Sequence, residues 1–222
     1  MMASAYLLDN PESFRLKMLH YSLAIGFIIL GAVFDFFDGM SARALGVSSP
    51  IGKELDSLAD IVTFGVAPSA MVFTLFQEVH YPEALESLRD IMPYTAFIMA
   101  AFSALRLAKF NLDERQATSF IGLPTPANAL FWGSLIVGSH AFLVSEKFNV
   151  VFLFMFMLMF SFLLVSEIPL FALKFKNTTW ADNKVKFIFL IGCLPCLLLM
   201  ESCFAAIIIW YLALSIIVWQ KK

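Results

Sequence analysis

The chain has 222 residues, of which 60% are apolar and only 14% are charged. Soluble domains average about 45–50% apolar and about 25% charged residues, so an ordinary soluble core cannot accommodate this many apolar side chains. The mean hydropathy of +0.83 therefore predicts a protein embedded in lipid. The formal net charge of −2 argues against a nucleic-acid partner.

Apolar tracts of about 20 residues, the length that crosses a bilayer, follow one another along the chain with no soluble domain between them. We predict seven spans in one domain (residues 1–222), and hence an all-α polytopic transmembrane helix bundle. Glu201 and Ser202 divide the last tract into two short crossings. The predicted spans cover residues 20–37, 58–77, 92–109, 127–144 and 149–173, and the last pair lies within 186–219.

The positions of lysine and arginine predict the orientation, because cytoplasmic loops are enriched in both. Eleven of these residues fall on one side of the predicted bundle: Arg43, Lys53, Arg106, Lys109, Arg115, Lys174, Lys176, Lys184, Lys186, Lys221 and Lys222. Four fall on the other: Arg15, Lys17, Arg89 and Lys147. We therefore expect the first side to be cytoplasmic and the 78–90 loop to face outward.

Four aspartates flank the connection between the first two predicted spans. Asp35 and Asp38 are three residues apart at the end of one span, so they share one helix face. Asp56 and Asp60 are four residues apart at the start of the next span and also share a face. Because the two helices are antiparallel, all four carboxylates can converge at the membrane surface.

Four neighbouring carboxylates repel one another, and an ion at membrane depth is costly to bury. Bound divalent cations would offset this repulsion, and all-oxygen ligation favours Mg²⁺ or Mn²⁺. Two such ions about 3.5–4 Å apart are suited to displacement at phosphorus. Two alternatives are helix-end aspartates that merely reach water and a cation-coupled transporter, although transporter ion sites tend to lie near the bilayer midplane.

The residues between the aspartate pairs suit a nucleotide diphosphate. Gly39 and Ala42 are small where a base or phosphate would approach the backbone closely. Arg43 can donate two parallel hydrogen bonds to a diphosphate. Gly52 is expected to allow the turn into the next helix.

The complete pattern from Asp35 to Asp60 is D-x2-D-G-x2-A-R-x8-G-x3-D-x3-D. It resembles the signature of the CDP-alcohol phosphatidyltransferase family at every specified position. The resemblance implies transfer of a phosphatidyl group from a CDP-linked lipid to a small alcohol, with release of CMP. It also implies a six-helix core, usually homodimeric, with a polar pocket open to the cytoplasm.

Four further segments resemble the bacterial, phosphatidylserine-forming branch of this family. They are FGVAPS (64–69), LRLAKFN (105–111), GLPTPAN (122–128) and VSEIPLFALKFKN (165–177). This resemblance, over about residues 20–180, implies CDP-diacylglycerol and L-serine as substrates and a location in the bacterial cytoplasmic (inner) membrane. Glycerol 3-phosphate and inositol phosphate stay open as alternative acceptors, although they would require a denser basic cluster.

The family's residue roles carry over onto the matching positions. Asp35, Asp38 and Asp56 would hold one metal, and Asp35, Asp56 and Asp60 the other. Asp60 would also be the general base for the acceptor hydroxyl. Asp38, Gly39, Ala42, Arg43 and Gly52 would contact the CDP moiety.

The serine carboxylate requires a cation in a pocket that is rich in aspartate. Arg106 and Lys109 are the candidates, at the predicted cytoplasmic end of their helix, with Asn111 as a polar neighbour. A guanidinium can bind a carboxylate through two hydrogen bonds.

The N-terminal segment departs from the family pattern. Family members usually begin with a helix ahead of the first aspartate-bearing span, whereas residues 1–19 are too short and polar to cross. We therefore expect the first family helix to be missing from this chain or the true start to lie upstream. Residues 20–180 would form the catalytic core, and 186–219 two additional spans.

Overall fold

The computed structural model describes residues 11–46, 49–112, 120–171 and 179–220. Within these residues the chain forms seven helical rods. The α-helices are α1 (Pro11–Leu45), α2 (Pro50–Asp60), α3 (Ala67–Glu78), α4 (Phe97–Leu112), α5 (Thr125–Leu143), α6 (Val150–Val165), α7 (Trp180–Leu197) and α8 (Cys203–Gln220). A π-helix, Ile61–Val66, joins α2 and α3 into one rod, and 3₁₀-helices occupy Glu83–Leu88, Met92–Ala96 and Met200–Ser202.

Four helical segments in the described part of the chain are long and apolar enough to cross a membrane, and Val150–Val165 is a shorter apolar helix. The four are Glu12–Ala42, Pro50–Glu78, Met92–Leu112 and Met200–Trp219. The protein is therefore an integral membrane protein. The predicted all-α helical class is confirmed, and each of the seven predicted spans overlaps one rod.

The first helix is much longer than predicted. It has 35 residues, from Pro11 to Leu45, against the predicted span 20–37, so the predicted polar segment 1–19 is helical from Pro11 onward. At 1.5 Å per residue α1 measures about 52 Å, well beyond the hydrocarbon thickness of about 30 Å. The prediction was too short because hydropathy marks only the apolar centre of a helix. The helix ends where Gly46 takes a left-handed conformation, with φ of +63°, a common helix stop.

The fifth predicted span, 149–173, was too long at its end. Asn149 caps α6 by accepting hydrogen bonds from the backbone N–H groups of Val151 and Phe152. The helix stops at Val165 because the chain then extends into a two-residue strand. That strand, β2 (Pro169–Leu170), pairs antiparallel with β1 (Phe120–Ile121).

Contacts between the rods define two ends of the bundle. At the aspartate end, α4 bonds to α2 through Asn111 and Ser57. At the opposite end, Glu78 of α3 contacts Lys17 of α1 and His140 of α5. The rods from α1 to α5 therefore alternate in direction, as the predicted topology requires.

Helix α5 lies at the centre of the packing. Its Phe131 ring stacks on Phe160 of α6, with centroids 3.9 Å apart. A Cβ at Gly133 would lie 3.0 Å from Ile25 Cγ1, so glycine permits close approach of α1. Ser134 Oγ donates to the carbonyl of Glu201, just before α8. Three neighbouring helices are thereby fixed around α5.

Candidate active site

Gly46 directly follows α1 and takes a left-handed conformation, whereas Gly52 lies inside α2. Gly52 lies in the first turn of α2, where its N–H donates to Ser49 Oγ at 3.0 Å. A Cβ at Gly52 would lie only 2.9 Å from that oxygen, so its small size preserves the helix cap. Gly52 was expected to allow the turn into this helix, and the structure places it in the helix's first turn. Gly46 was missed, although a glycine directly after a helix signals its end.

Three of the four predicted aspartates lie together. The carboxylate oxygens of Asp35, Asp38 and Asp56 can all lie within 4.8 Å of one another. Asp35 is half-buried, while Asp38 and Asp56 are exposed. Three carboxylates at this separation can supply the oxygen ligands that a hard divalent cation requires. Asp60 lies one turn further along the Asp56 face, outside this group of three.

The predicted nucleotide-binding residues continue the aspartate face of α1. Gly39 and Ala42 follow Asp35 and Asp38 at spacings of four residues within the uninterrupted helix, so they lie next to the carboxylates. Both are half-buried. Arg43 belongs to the same helix, but its side chain lies outside the described residues.

A π-helix begins immediately after Asp60, and it was not predicted. Phe64 and Gly65 are its buried residues, and a Cβ at Gly65 would lie 3.1 Å from Ser103 Cβ of α4. Pro68 follows and lacks an N–H for regular helical bonding. The FGVAPS segment thus forms a wide turn against α4, a geometry that often marks functional sites.

Arg106 is the buried member of the predicted serine-binding group. Its side chain lies inside the bundle, with 5% of the residue exposed. The guanidinium carbon is 5.4 Å from the centre of the Phe110 ring, within the range of a cation–π contact. A buried charge in a membrane-spanning segment usually serves a function.

Lys109 and Asn111 each form a hydrogen bond to a neighbouring helix. Lys109 Nζ donates to the carbonyl of Val165 at 3.4 Å, which ties α4 to α6. Asn111 Nδ2 donates to Ser57 Oγ at 2.9 Å, and Lys53 Nζ donates to the Asn111 carbonyl at 3.5 Å. Lys109 and Asn111 therefore link neighbouring helices.

A sequence model of the CDP-alcohol phosphatidyltransferase family matches residues 4–163. The chain belongs to this family. The match begins closer to the N-terminus than the predicted similarity over 20–180 and spans the described rods from α1 into α6. Helices α7 and α8 lie beyond it. The predicted family and enzyme class, a phosphatidyltransferase, are confirmed.

Individual relatives share substantial identity with the chain. A Bacillus subtilis protein is 39% identical over 154 residues, which cover 68% of this chain and 77% of the relative. A Saccharomyces cerevisiae protein is 39% identical over 109 residues, covering 45% of this chain and 36% of the relative. A Methanocaldococcus jannaschii protein is 39% identical over 111 residues, covering 50% of this chain and 47% of the relative. Each of the three is named CDP-diacylglycerol–serine O-phosphatidyltransferase. The chain therefore spans most of the Bacillus relative and about half or less of the other two.

Proposed function

We propose that the phosphatidyl donor is CDP-diacylglycerol and the acceptor is L-serine, so that the products are phosphatidylserine and CMP. The observation that carries this proposal is the family motif together with the convergence of Asp35, Asp38 and Asp56. The shared name of the relatives from bacteria, yeast and an archaeon supports serine as the acceptor.

The acidic residues fit divalent cations, and we propose Mg²⁺ or Mn²⁺. Asp35, Asp38 and Asp56 would hold one ion, and Asp35, Asp56 and Asp60 the other. Bound cations of this kind neutralise a diphosphate and stabilise charge on the departing phosphate. Donor groups limited to carboxylate oxygens support hard ions.

The protein's own groups would bind the reactants and move one proton. Gly39, Ala42, Arg43 and Gly52 would contact the CDP moiety near Asp38. Asp60 would take the proton from the serine hydroxyl, whose oxygen attacks the phosphorus that carries diacylglycerol. The bond from that phosphorus to the bridging oxygen then breaks, and CMP leaves with the electron pair. Aligning both reactants accounts for much of the remaining acceleration.

Arg106 is the proposed partner of the serine carboxylate. It is buried, and the rod that carries Asp60 packs against its helix at Ser57 and at Gly65. Lys109 and Asn111, which link α4 to its neighbours, would act as supports at the rim. We also propose a homodimer in the bacterial inner membrane, with the aspartate end facing the cytoplasm. The family resemblance and the eleven-to-four distribution of lysine and arginine support this arrangement.

An acceptor screen tests the function directly. Purified protein in lipid is given labelled CDP-diacylglycerol with L-serine, glycerol 3-phosphate or inositol phosphate, and the lipid products are separated. We expect phosphatidylserine from serine and little product from the two phosphorylated alcohols. Efficient transfer to either phosphorylated alcohol, with none to serine, would overturn the proposed acceptor.

A further inference from the structure

Asn128, the last residue of the GLPTPAN segment, is fully buried on α5. Neither its amide nitrogen nor its amide oxygen has a hydrogen-bond partner among the described residues. The indole nitrogen of Trp132, one turn further on, is also buried and also has no hydrogen-bond partner among the described residues. Buried polar atoms in native proteins almost always have a partner, so such an atom indicates a bound ligand or water.

The contacts of α5 show which way Asn128 faces. Phe131 points to α6, where it stacks on Phe160. Ser134, three residues later, points to α8. Because a three-residue step turns the side chain by about 60°, Asn128 lies on the other side of Phe131, away from α8. It therefore faces the region where α4 and the π-helix approach α5 beside α6.

Independent contacts of α4 direct Arg106 into the same region. Phe102 packs against Phe162 of α6, while Ser103 lies against Gly65 of the π-helix. Arg106 follows these two residues by four and three positions, so it lies between them around the helix. It faces the gap between α6 and the π-helix and is buried there.

The two side chains also lie at similar positions along the bundle axis. Phe131 contacts Phe160 and Phe102 contacts Phe162, which are two residues apart on α6. Asn128 lies three residues from Phe131 toward the aspartate end, and Arg106 lies four residues from Phe102 in the same direction. Their positions along the axis therefore differ by about 5 Å. Side chains lean toward the N-terminus of their own helix, and α4 and α5 are antiparallel, so these two lean toward each other.

Asp60 lies beside this region. The rod that carries Asp60 contacts α4 at Ser57, opposite Asn111, and at Gly65, opposite Ser103. Arg106 lies between Ser103 and Asn111 on α4, and is therefore level with the residues that directly follow Asp60. A small molecule between Arg106 and Asn128 would be within reach of the Asp60 carboxylate.

We propose that Asn128 binds the amino group of the acceptor and so helps to select an amino acid over phosphorylated alcohols. This inference rests on the proposed function with serine as acceptor. The Asn128 amide oxygen would accept a hydrogen bond from the serine ammonium, while Arg106 donates to the carboxylate and the hydroxyl is directed to Asp60. An amide suits a zwitterion because it is both donor and acceptor.

The test compares Asn128→Leu, which is similar in size but apolar, with the parent protein. We expect the serine KM to rise about ten- to hundredfold, since a bond to a charged group is lost, while the CDP-diacylglycerol KM stays unchanged. The melting temperature should stay equal or rise, because an amide without a partner is replaced by an apolar group. Asn128→Ala, which adds no bulk, should show the same split between the two KM values.

Ser161→Ala is the matched control, since its buried hydroxyl donates to Met157 within α6; its KM values should equal those of the parent. A serine KM within twofold of the parent in both Asn128 variants would overturn the inference. So would a parallel rise in both KM values with a lower melting temperature, which indicates a packing role. A parent that fails to transfer to serine would instead refute the proposed function, and the inference would fall with it.

Discussion

Asp60 differs from the other three aspartates in its surroundings. It lies at the last position of α2, directly before the π-helix, and is half-buried. Its carboxylate is outside the group formed by Asp35, Asp38 and Asp56. These surroundings support the proposed role of Asp60 as the general base.

Asp60→Asn should retain the fold and CDP-diacylglycerol binding but lose most of the turnover. General-base catalysis typically contributes about 10²–10⁴-fold, so kcat should fall by a factor in that range. Initial rates of CMP release measure the effect. Glu54→Gln, an exposed acid on the same helix, is the control and should turn over normally. Near-parental turnover of Asp60→Asn would assign the base to another group.

Arg106→Lys should raise the KM for serine by about ten- to hundredfold and leave the KM for CDP-diacylglycerol nearly unchanged. A lysine retains the charge but cannot form two parallel bonds to a carboxylate, and each charge-assisted bond contributes about 1.5–3 kcal/mol. Ethanolamine lacks the carboxylate, so it should be a poor acceptor for the parent and no worse for the variant.

Arg89→Lys is the control for this substitution. Arg89 is exposed near the opposite end of the bundle, where it pairs with Glu86, so both KM values should match those of the parent. An unchanged serine KM in Arg106→Lys, or an equal rise for both substrates, would exclude Arg106 from the acceptor site and favour Lys109.

At the level of elements, the site depends on how α1 and α2 meet. Both aspartate pairs could be assigned to single helix faces from their spacing, because i, i+3 and i, i+4 neighbours share a face. The exact reversal could not be predicted, since hydropathy does not distinguish the polar end of a long helix from a loop. As a result Gly39 and Ala42 were predicted in the connection but lie within α1.

Removal of divalent metal should abolish transfer. Without cations, three carboxylates within 4.8 Å repel one another and leave the diphosphate of the donor without neutralising charge. CMP release should become undetectable in excess chelator and return when Mg²⁺ or Mn²⁺ is added beyond it. Chelator that has first been saturated with Mg²⁺ serves as the control. Full turnover in excess chelator would contradict a metal site here.

A second cluster of charges joins three helices at the opposite end. His140 Nε2 and Glu78 Oε2 are 2.7 Å apart, and Lys17 Nζ is 3.2 Å from Glu78 Oε1. His140 is 5% exposed, and the Glu78 side chain is 11% exposed. This cluster fixes α3 against α1 and α5 and is remote from the aspartates.

Glu78→Gln should therefore destabilise the protein without changing the KM values of the folded enzyme. Loss of hydrogen bonds to a charged, mostly buried carboxylate costs about 1–3 kcal/mol, which should lower the melting temperature. Glu86→Gln, at an exposed ion pair with Arg89, is the control and should cost less than about 1 kcal/mol. Equal melting temperatures for the two variants would show that the Glu78 cluster does not stabilise the bundle.

On the scale of the whole molecule, the alternation of the rods agrees with the charge-based topology, while the side of the membrane stays a prediction. Five of the basic residues on which this topology depends lie outside the described residues: Arg115, Lys174, Lys176, Lys221 and Lys222.

The composition and hydropathy sufficed to predict the helical class, because lipid-embedded helices require long apolar tracts. The depth of Arg106 and the packing around Asn128 depend on contacts between distant segments, which a single sequence does not specify.

Cysteine labelling tests the orientation. In a background with Cys193, Cys196 and Cys203 replaced, Glu86→Cys should react with an impermeant reagent from outside intact cells. Glu54→Cys, at the aspartate end, should react only after the cells are opened. Both positions are exposed, so a difference in labelling reports the side of the membrane. The reverse pattern would place the aspartate end outside the cell.

The six-residue π-helix between α2 and α3 decides which way Asp56 and Asp60 face. A π-helix takes about one residue more per turn than an α-helix, so it turns the chain less over the same number of residues. Rewinding these six residues into a regular α-helix of the same length would turn Asp56 and Asp60 by about 100° relative to α3, and their carboxylates would no longer face α1. Deleting one residue at the same time would cancel this rotation, so a rod shortened by one residue should keep both aspartates on their present face.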